Sequence, residues 1–286
     1  MASDKIQTVG IIGAGTMGQG IAQICASSGF NVLLYDVNPG LLKKGTSNIY
    51  ASLQISVDKN KLTATQKQES LSRIKSCLSL DQIKADLVIE AVVENLEVKR
   101  EIFKGLENIN SADCILATNT SSIPVTQIAS SLKNPLRFAG LHFFNPAHIM
   151  KLVEVISGVT TSVETIEQLK KFSEKLGKVP VMVKDSPGFV VNRVARHYYV
   201  EALKILEENV ADIKTIDILL RSSGFKMGAF ELMDLIGVDT NFSVTTSMYN
   251  AFHQDGKFRP SRIQQQKVEA GHHGQKSGKG FYDYDK

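Results

Sequence analysis

A histidine and a glutamate lie in two neighbouring apolar segments, and their side chains have the chemistry of a general base and its partner. His142 closes the apolar run 138–141, and Glu154 lies inside the apolar run 152–156. An imidazole titrates near neutral pH and can take the proton of a hydroxyl group. A carboxylate inside an apolar strand is costly unless it is paired, and a histidine partner would both pair it and be oriented by it. Alone, His142 could equally be a core histidine with satisfied hydrogen bonds, but Glu154 favours a catalytic pair.

Two polar residues could complete this constellation by holding an oxygen atom of the substrate. Ser121 follows an apolar strand pattern, and Asn192 lies four residues after Gly188 on the predicted first helix of the second half. The carboxyl ends of parallel strands face the ligand crevice, so we expect Ser121 and His142 to point towards it. On bare sequence, Ser121 and Asn192 could each equally be a helix cap or a polar surface residue.

A glycine-rich segment near the N-terminus has the spacing of a dinucleotide-binding loop. Gly13, Gly15 and Gly18 form the pattern G-x-G-x-x-G between a strand pattern and a helical pattern. The first glycine permits a tight turn, the second lets the backbone approach a pyrophosphate, and the third lets the helix pack on the strand. Asp36 ends the next strand pattern, where a carboxylate can bind the ribose hydroxyls and would repel a 2′-phosphate. The segment therefore predicts NAD as cofactor and, with His142, an oxidoreductase that transfers hydride.

Short apolar runs separated by helical patterns must position these residues. Such runs occupy residues 8–12, 31–35, 87–91, 114–117 and 138–141. Nearly continuous apolar character is typical of strands buried on both faces, as in a parallel sheet. We predict an α/β fold with a Rossmann-type doubly wound sheet. The polar, helical segment 39–74 predicts a helical pair that is inserted between strands and projects from the sheet.

The second half of the chain has a different pattern. After residues 179–183 the strand pattern stops, and a turn with a helix start follows around Pro187-Gly188. Only helical periodicity is found over residues 189–270. We therefore predict an NAD-binding Rossmann domain over residues 1–184 and an all-helical C-terminal domain over residues 185–286. The glycine-rich tail is predicted to wrap the surface.

Composition argues against several classes of protein. A net charge of +4, an aromatic content of 7% and no basic run give no sign of nucleic-acid binding. Three widely spaced cysteines without a Cys-x-x-Cys pair suggest neither a zinc site nor disulfides, and they indicate a reducing compartment. No apolar run approaches the roughly 18 residues of a membrane span, and the first residues leave no room for a signal peptide. We predict a cytoplasmic protein with no metal, nucleic-acid or membrane partner.

The order of motifs along the chain resembles that of short-form L-3-hydroxyacyl-CoA dehydrogenases, of the 3-hydroxybutyryl-CoA dehydrogenase type. The resemblance runs over nearly the whole length. The motifs that carry it are GAGTMG at 13–18, EAVVEN at 90–95, NTSS at 119–122, HFFNP at 142–146, MKLVE at 150–154, DSPGF at 185–189, NR at 192–193, FELMD at 230–234 and KSGKGFY at 276–282.

The resemblance implies a function and a role for each candidate residue. It implies reversible, NAD-dependent oxidation of a short-chain (S)-3-hydroxyacyl-CoA to the 3-oxoacyl-CoA, as in fatty-acid metabolism. It assigns the base to His142 with Glu154 as partner, and substrate-oxygen contacts to Ser121 and Asn192. It further implies a homodimer formed through the C-terminal helical domain, which completes the site.

The resemblance also implies further ligand contacts. It assigns NAD contacts to Asp36, Glu94 and Lys99, and it makes Lys59, within the inserted helical pair, a candidate for a coenzyme A contact.

The sequence departs from the family at two places. Ala147-His148 replaces two small apolar residues of which one is often proline, and Ala229 stands where proline is common. The expected position of His148 near the acyl pocket makes chain-length preference, rather than the chemistry, depend on this departure.

Two alternatives remain open at this stage. One is a dehydrogenase of the same architecture that acts on a non-CoA hydroxy acid or sugar acid. The other is an NAD-binding structural or regulatory protein that kept the fold and lost the reaction. The lysines of the helical pair favour coenzyme A, and the intact set of four candidate residues at the reacting centre favours catalysis.

Overall fold

The apolar runs form an eight-stranded sheet within residues 6–284, the part of the chain that the computed structural model describes. The strands are β1 (Thr8–Ile12), β2 (Asn31–Tyr35), β3 (Ile74–Cys77), β4 (Leu87–Glu90), β5 (Ile115–Thr118), β6 (Phe138–Phe143), β7 (Leu152–Ser157) and β8 (Val179–Lys184). Their order across the sheet is β3-β2-β1-β4-β5-β6-β7-β8. The helices that connect them are α1 (Thr16–Ser27), α2 (Pro39–Asp58), α3 (Ala64–Ser72), α4 (Leu96–Ile109), α5 (Val125–Ala129) and α6 (Val163–Lys175).

The predicted fold class is confirmed, with one reversal in strand direction. Neighbouring strands pair in parallel except β6 and β7, which are antiparallel. An antiparallel pair needs only a short connection, whereas a parallel pair needs a crossover of a dozen or so residues. Residues 144–151 are that short connection, and they lie between the two strands that carry His142 and Glu154.

The inserted segment is a helical pair, as predicted, but it does not stand free of the sheet. Asn38 caps α2 by accepting the backbone N–H groups of Gly40 and Leu41, and a Thr63–Gln66 capping box begins α3. Both helices pack on α1. The apolar side chains of α2 that are buried in the core of this unit are Leu42, Ile49 and Leu53.

Strand β3 was not predicted from the sequence. It lies at the edge of the sheet and pairs with β2, and its two central residues, Lys75 and Ser76, are exposed. An edge strand with a solvated centre has no continuous apolar run, which is the signal that marks the central strands.

The chain divides into two compact units between Ser186 and Pro187. The described part of the second unit is helical, with short bridges in its tail. Its helices are α7 (Val191–Glu207), α8 (Ile213–Ser222), α9 (Ala229–Ile236), α10 (Val238–Ala251) and α11 (Arg262–Glu269). Across the described residues, no helix has both the length and the hydrophobicity needed to cross a bilayer.

The end of the C-terminal tail is bound to the second unit by a buried ring and by hydrogen bonds to a buried carboxylate. Phe281 is buried and packs its ring 4.8 Å from that of Phe230. The carboxylate of Asp234, which is 1% exposed, accepts the backbone N–H groups of Phe281 and Tyr282 and the hydroxyl of Tyr284. Most of the tail lies at the surface, and composition alone gives no sign of the buried carboxylate that binds its end.

Candidate active site

His142 and Glu154 face each other across the antiparallel strands β6 and β7. They are direct partners in the register, and directly opposed residues project their side chains to the same face of a sheet. Nδ1 of His142 lies 2.8 Å from Oε2 of Glu154. Glu154 is fully buried and His142 is 6% exposed. We assign the proton of this hydrogen bond to Nδ1, because a carboxylate oxygen accepts; Nε2 is then the ring nitrogen that can take a proton from a substrate.

The end of β6 is held to the neighbouring strand by a side chain that sequence analysis did not single out. Oδ1 of Asn119, directly after β5, accepts the backbone N–H of Phe143 at 2.8 Å. The ring of Phe144 packs 4.5 Å from the ring of His142. Together these contacts restrict how the imidazole and the residues after it can move.

Ser121 lies in a loop after β5 that is organised by the carboxylate of Glu94. Oε1 of Glu94 accepts the backbone N–H groups of Ser121 at 3.0 Å and Ser122 at 3.1 Å, and also the hydroxyls of Thr120 and Ser122. Burial raises the pKa of Glu94, but the charge of Lys99 and the hydrogen bonds from Thr120 and Ser122 outweigh it and lower that pKa below its usual value. Glu94 is therefore an ionised anchor for the loop that carries Ser121.

Lys99 is buried beneath this loop. Its ammonium lies 2.6 Å from Oε1 of Glu90 and 3.3 Å from Oε2 of Glu94, and its side chain is 1% exposed. The other oxygen of Glu90 accepts the hydroxyl of Thr118 at 2.7 Å. Lys99 thus supports Glu94 from the interior, and the contacts of both residues with NAD stay predictions. Sequence analysis did not single out Glu90. A glutamate at the end of an apolar strand pattern needs a buried partner, and this was the signal that could have identified it.

The glycine-rich loop has the geometry that its spacing predicts. Gly13 has φ of +101°, and a Cβ there would stand 2.5 Å from the carbonyl oxygen of Ala91. A Cβ on Gly18 would stand 1.8 Å from the carbonyl oxygen of Gly13. By contrast, a Cβ on Gly15 would meet no protein atom within 4 Å, so packing does not require glycine there. The close approach of a ligand at Gly15 stays a prediction, and Gly15 is also the N-cap of α1 and offers no side-chain cap to the helix.

Asp36 lies at the end of β2, beside the loop. Its Oδ2 accepts the backbone N–H of Ala14 at 2.8 Å, and its Oδ1 accepts that of Asn38 at 2.8 Å. The carboxylate is thus fixed next to the segment that would hold a pyrophosphate. The residues present fit a bound NAD.

A second buried lysine, Lys178, is hydrogen-bonded to the loop between β6 and β7. Nζ of Lys178 donates to the carbonyl oxygens of Ala147 at 2.6 Å and Met150 at 2.8 Å. Burial, together with the charge of Lys178, lowers the pKa of His148, so its imidazole is neutral near pH 7. The departure from the family pattern therefore places a neutral, half-buried ring in this loop.

The remaining predicted residues lie elsewhere. Lys59 is exposed at the C-cap of α2. Asn192 is the second residue of α7 in the second unit, and its contact with the substrate oxygen stays a prediction. Within the described residues, no group of three or more histidine, cysteine or acidic side chains could hold a metal ion.

Comparison with protein families assigns both units to one family. Residues 8–186 match the family described as 3-hydroxyacyl-CoA dehydrogenase, NAD binding domain. Residues 188–284 match 3-hydroxyacyl-CoA dehydrogenase, C-terminal domain.

Individual relatives have similar sequences and structures. The chain is 50% identical to a 3-hydroxyadipyl-CoA dehydrogenase of Escherichia coli K12 over 98% of its own length, and it spans 59% of the length of that relative. It is 42% identical to a probable 3-hydroxybutyryl-CoA dehydrogenase of Bacillus subtilis, with 98% of each chain covered. A crystal structure of (S)-3-hydroxybutyryl-CoA dehydrogenase from Ralstonia eutropha superposes with a TM-score of 0.95 at 42% identity, covering 98% of this chain and all of that one.

Proposed function

The chain belongs to the 3-hydroxyacyl-CoA dehydrogenase family, and on that premise we propose that it oxidises short-chain (S)-3-hydroxyacyl-CoA esters with His142 as the general base. It is an NAD-dependent oxidoreductase, and its first unit is the NAD-binding domain. The observation that carries the proposal is the hydrogen bond of 2.8 Å between Nδ1 of His142 and the buried carboxylate of Glu154.

The His142–Glu154 pair supplies the proton transfer. Nε2 of His142 takes the proton of the 3-hydroxyl group, and the C–H bond at C3 breaks as the carbonyl forms. Bound NAD supplies the acceptor for the hydride that leaves C3. The imidazolium that results is stabilised by the adjacent carboxylate of Glu154, which also fixes the orientation of the ring. In the reverse direction the same nitrogen returns the proton to the forming hydroxyl group.

Ser121 and Asn192 hold the reacting oxygen. The Ser121 loop is fixed by Glu94, which Lys99 and Glu90 support from the interior. A hydroxyl on a fixed loop can position the substrate without taking part in bond-making, and such positioning lowers the entropic part of the barrier. Asn192 lies in the C-terminal helical unit, which we propose completes the substrate site.

NAD is held by the glycine-rich loop and by Asp36. The N–H groups of the first turn of α1 would bind the pyrophosphate at Gly15, where no side chain blocks its approach. The Asp36 carboxylate would accept the ribose hydroxyls and repel the 2′-phosphate of NADP, which would favour NAD.

The acyl-CoA preference is proposed from the relatives and from the helical pair. Similar proteins are named for 3-hydroxybutyryl-CoA and 3-hydroxyadipyl-CoA, which are both coenzyme A esters of short acids. We propose Lys59, which is exposed at the end of α2, as a contact for a phosphate of coenzyme A.

We further propose a cytoplasmic homodimer that associates through the helical unit. All three cysteines are buried and unpaired, which suits a reducing compartment. Large apolar side chains stay exposed on α7 and α8, among them Val194, Ile218 and Leu219, and exposed apolar patches commonly mark subunit contacts.

The function is tested by comparing substrates. With NAD, we expect reduction to NADH with (S)-3-hydroxybutyryl-CoA and none of comparable rate with free 3-hydroxybutyrate or with a sugar acid. A higher kcat/KM with either free acid would contradict the assignment to coenzyme A esters. An acyl-CoA length series in the same assay then gives the chain-length preference.

A further inference from the structure

The side chain of Gln19 bridges the glycine-rich loop and helix α2. Gln19 lies in the first turn of α1, and its Nε2 donates to the carbonyl oxygen of Ala14 at 2.9 Å. Its Oε1 accepts from Nδ2 of Asn48, on α2, at 3.1 Å. Both ends of one carboxamide are therefore engaged, and α2 is hydrogen-bonded to the cofactor loop through a single side chain.

Helix α2 also approaches the same loop residue directly. A Cβ on Gly45 would stand 2.8 Å from the carbonyl oxygen and 3.0 Å from the Cβ of Ala14. Only glycine lets the helix come this close. Gly45 and Asn48 are three residues apart and share one face of α2. That face therefore packs on Ala14 at Gly45 and is hydrogen-bonded to it only through Gln19.

Ala14 is held on its other side by the proposed ribose ligand. Its backbone N–H donates to Oδ2 of Asp36 at 2.8 Å, while its carbonyl oxygen accepts from Gln19. The backbone of Ala14 therefore connects the carboxylate of Asp36, the proposed ribose ligand, with the side chain of Gln19, which is hydrogen-bonded to α2.

Asn48, on the face of α2 that approaches Ala14, also lines a cleft next to the loop that follows β6. The cleft has a volume of about 130 Å³. The residues that line it come from α1, from α2 and from the loop after β6, and they include Gln19, Asn48, Ser52, Pro146, Ala147 and His148. A ligand in this cleft contacts the same side chains that connect α2 to the cofactor loop.

We propose that Gln19 is a positioning residue that couples NAD binding to acyl-CoA binding. The inference rests on the proposed function, because it takes α2 as part of the acyl-CoA site. NAD bound at the loop favours the position of Ala14 that accepts the hydrogen bond from Gln19, and acyl-CoA bound against α2 favours the position of Asn48 that donates to the same side chain. Coupling of this kind is reciprocal, so each ligand raises the affinity for the other by the same factor.

The experiment measures the coupling ratio, defined as the Kd of NAD⁺ alone divided by its Kd at saturating acetoacetyl-CoA. These two ligands are both oxidised and cannot react with each other. We expect a ratio of about fivefold or more in the native enzyme and within about twofold of unity in Gln19→Ala and in Asn48→Ala. The double variant is expected to lose no more than either single variant, because both remove the same hydrogen bond.

Ser47→Ala is the matched control. Ser47 neighbours Asn48 on α2 and is exposed, and its hydroxyl donates to the Lys43 carbonyl oxygen within the helix. This variant is expected to keep the native ratio. Thermal unfolding of each variant, recorded alongside, shows whether stability has changed.

Two results would overturn the inference: a native ratio retained in Gln19→Ala, or two ligands that bind the native enzyme without coupling. A purely structural role for Gln19 would lower the Tm and leave the ratio unchanged, which is the first of these results. If acetoacetyl-CoA failed to bind the native enzyme at all, the proposed function itself would be contradicted, so the two failures are distinguishable.

Discussion

The ammonium of Lys99 lies 2.6 Å from the carboxylate of Glu90, and both side chains are closed off from solvent. The same ammonium lies 3.3 Å from Glu94, which binds the backbone of the Ser121 loop. Lys99, Glu90 and Glu94 thus form a cluster of charged groups that supports the loop proposed to hold the substrate oxygen.

Removing the lysine from this cluster is expected to be strongly destabilising. Lys99→Met leaves the buried Glu90 carboxylate without its counter-charge, which costs about 3–5 kcal/mol. Urea unfolding of the native protein and the variant measures the difference. Lys104→Met, on the exposed side of the same helix, is the control and should change stability by less than about 0.5 kcal/mol. A loss below about 1 kcal/mol for Lys99→Met would contradict the buried pair.

Glu94 should contribute a pH-dependent part of the stability. Its folded-state pKa lies below the usual value of 4.5, so the unfolded chain binds the proton more readily. The contribution is present above that value and is lost as the pH falls through the folded-state pKa. We expect the difference in unfolding free energy between the native protein and Glu94→Gln to be constant above about pH 6 and to shrink below about pH 4.5. A difference that grew on acidification would have the wrong sign.

The tail should depend on Asp234 for its attachment. Asp234→Ala removes the carboxylate that accepts the N–H groups of Phe281 and Tyr282 and the Tyr284 hydroxyl. Hydrogen bonds to charged groups contribute about 1.5–3 kcal/mol each and are not additive, so we expect a loss of about 3 kcal/mol or more. Asp283→Ala, which removes an exposed partner of Lys279, is the control, with an expected change of less than about 1 kcal/mol in the same denaturant titration. Equal losses in the two variants would contradict the role given to Asp234.

Asp36 should set the choice between NAD and NADP. Asp36→Asn keeps one of the two acceptor oxygens, enough for the backbone N–H of Ala14, and removes the negative charge. We expect kcat/KM for NAD to fall by roughly 10-fold and that for NADP to rise, because the repulsion of the 2′-phosphate is relieved. Steady-state kinetics with both cofactors measures the ratio, and Asp58→Asn at the exposed end of α2 serves as the control. An unchanged ratio in Asp36→Asn would contradict the assignment.

Much of the fold was predictable because central parallel strands and a glycine-rich turn leave strong local signals. β1, β4 and β5 read as apolar runs because both of their faces are covered. The G-x-G-x-x-G spacing predicted the turn at Gly13 and the close packing at Gly18, since backbone sterics alone require glycine at both positions.

What the sequence did not reveal depends on partners far along the chain. The antiparallel direction of β7 leaves no mark on its apolar residues. The support of Ser121 by Glu94 joins residues 27 positions apart, and the bond from Asp234 to Phe281 joins residues 47 positions apart. Periodicity reports which face of an element is buried, whereas it carries no information about which distant polar group that face will meet.

The central claim is that His142 is the base, and the turnover of His142→Gln tests it most directly. Glutamine is similar in size and cannot act as a base near neutral pH, and a positioned base contributes about 10²–10⁴-fold to the rate. The measurement is kcat with (S)-3-hydroxybutyryl-CoA at saturating NAD, with the Kd of NAD determined alongside. The account predicts a fall in kcat of at least about 100-fold with little change in the affinity for NAD. A kcat close to that of the native enzyme would contradict it.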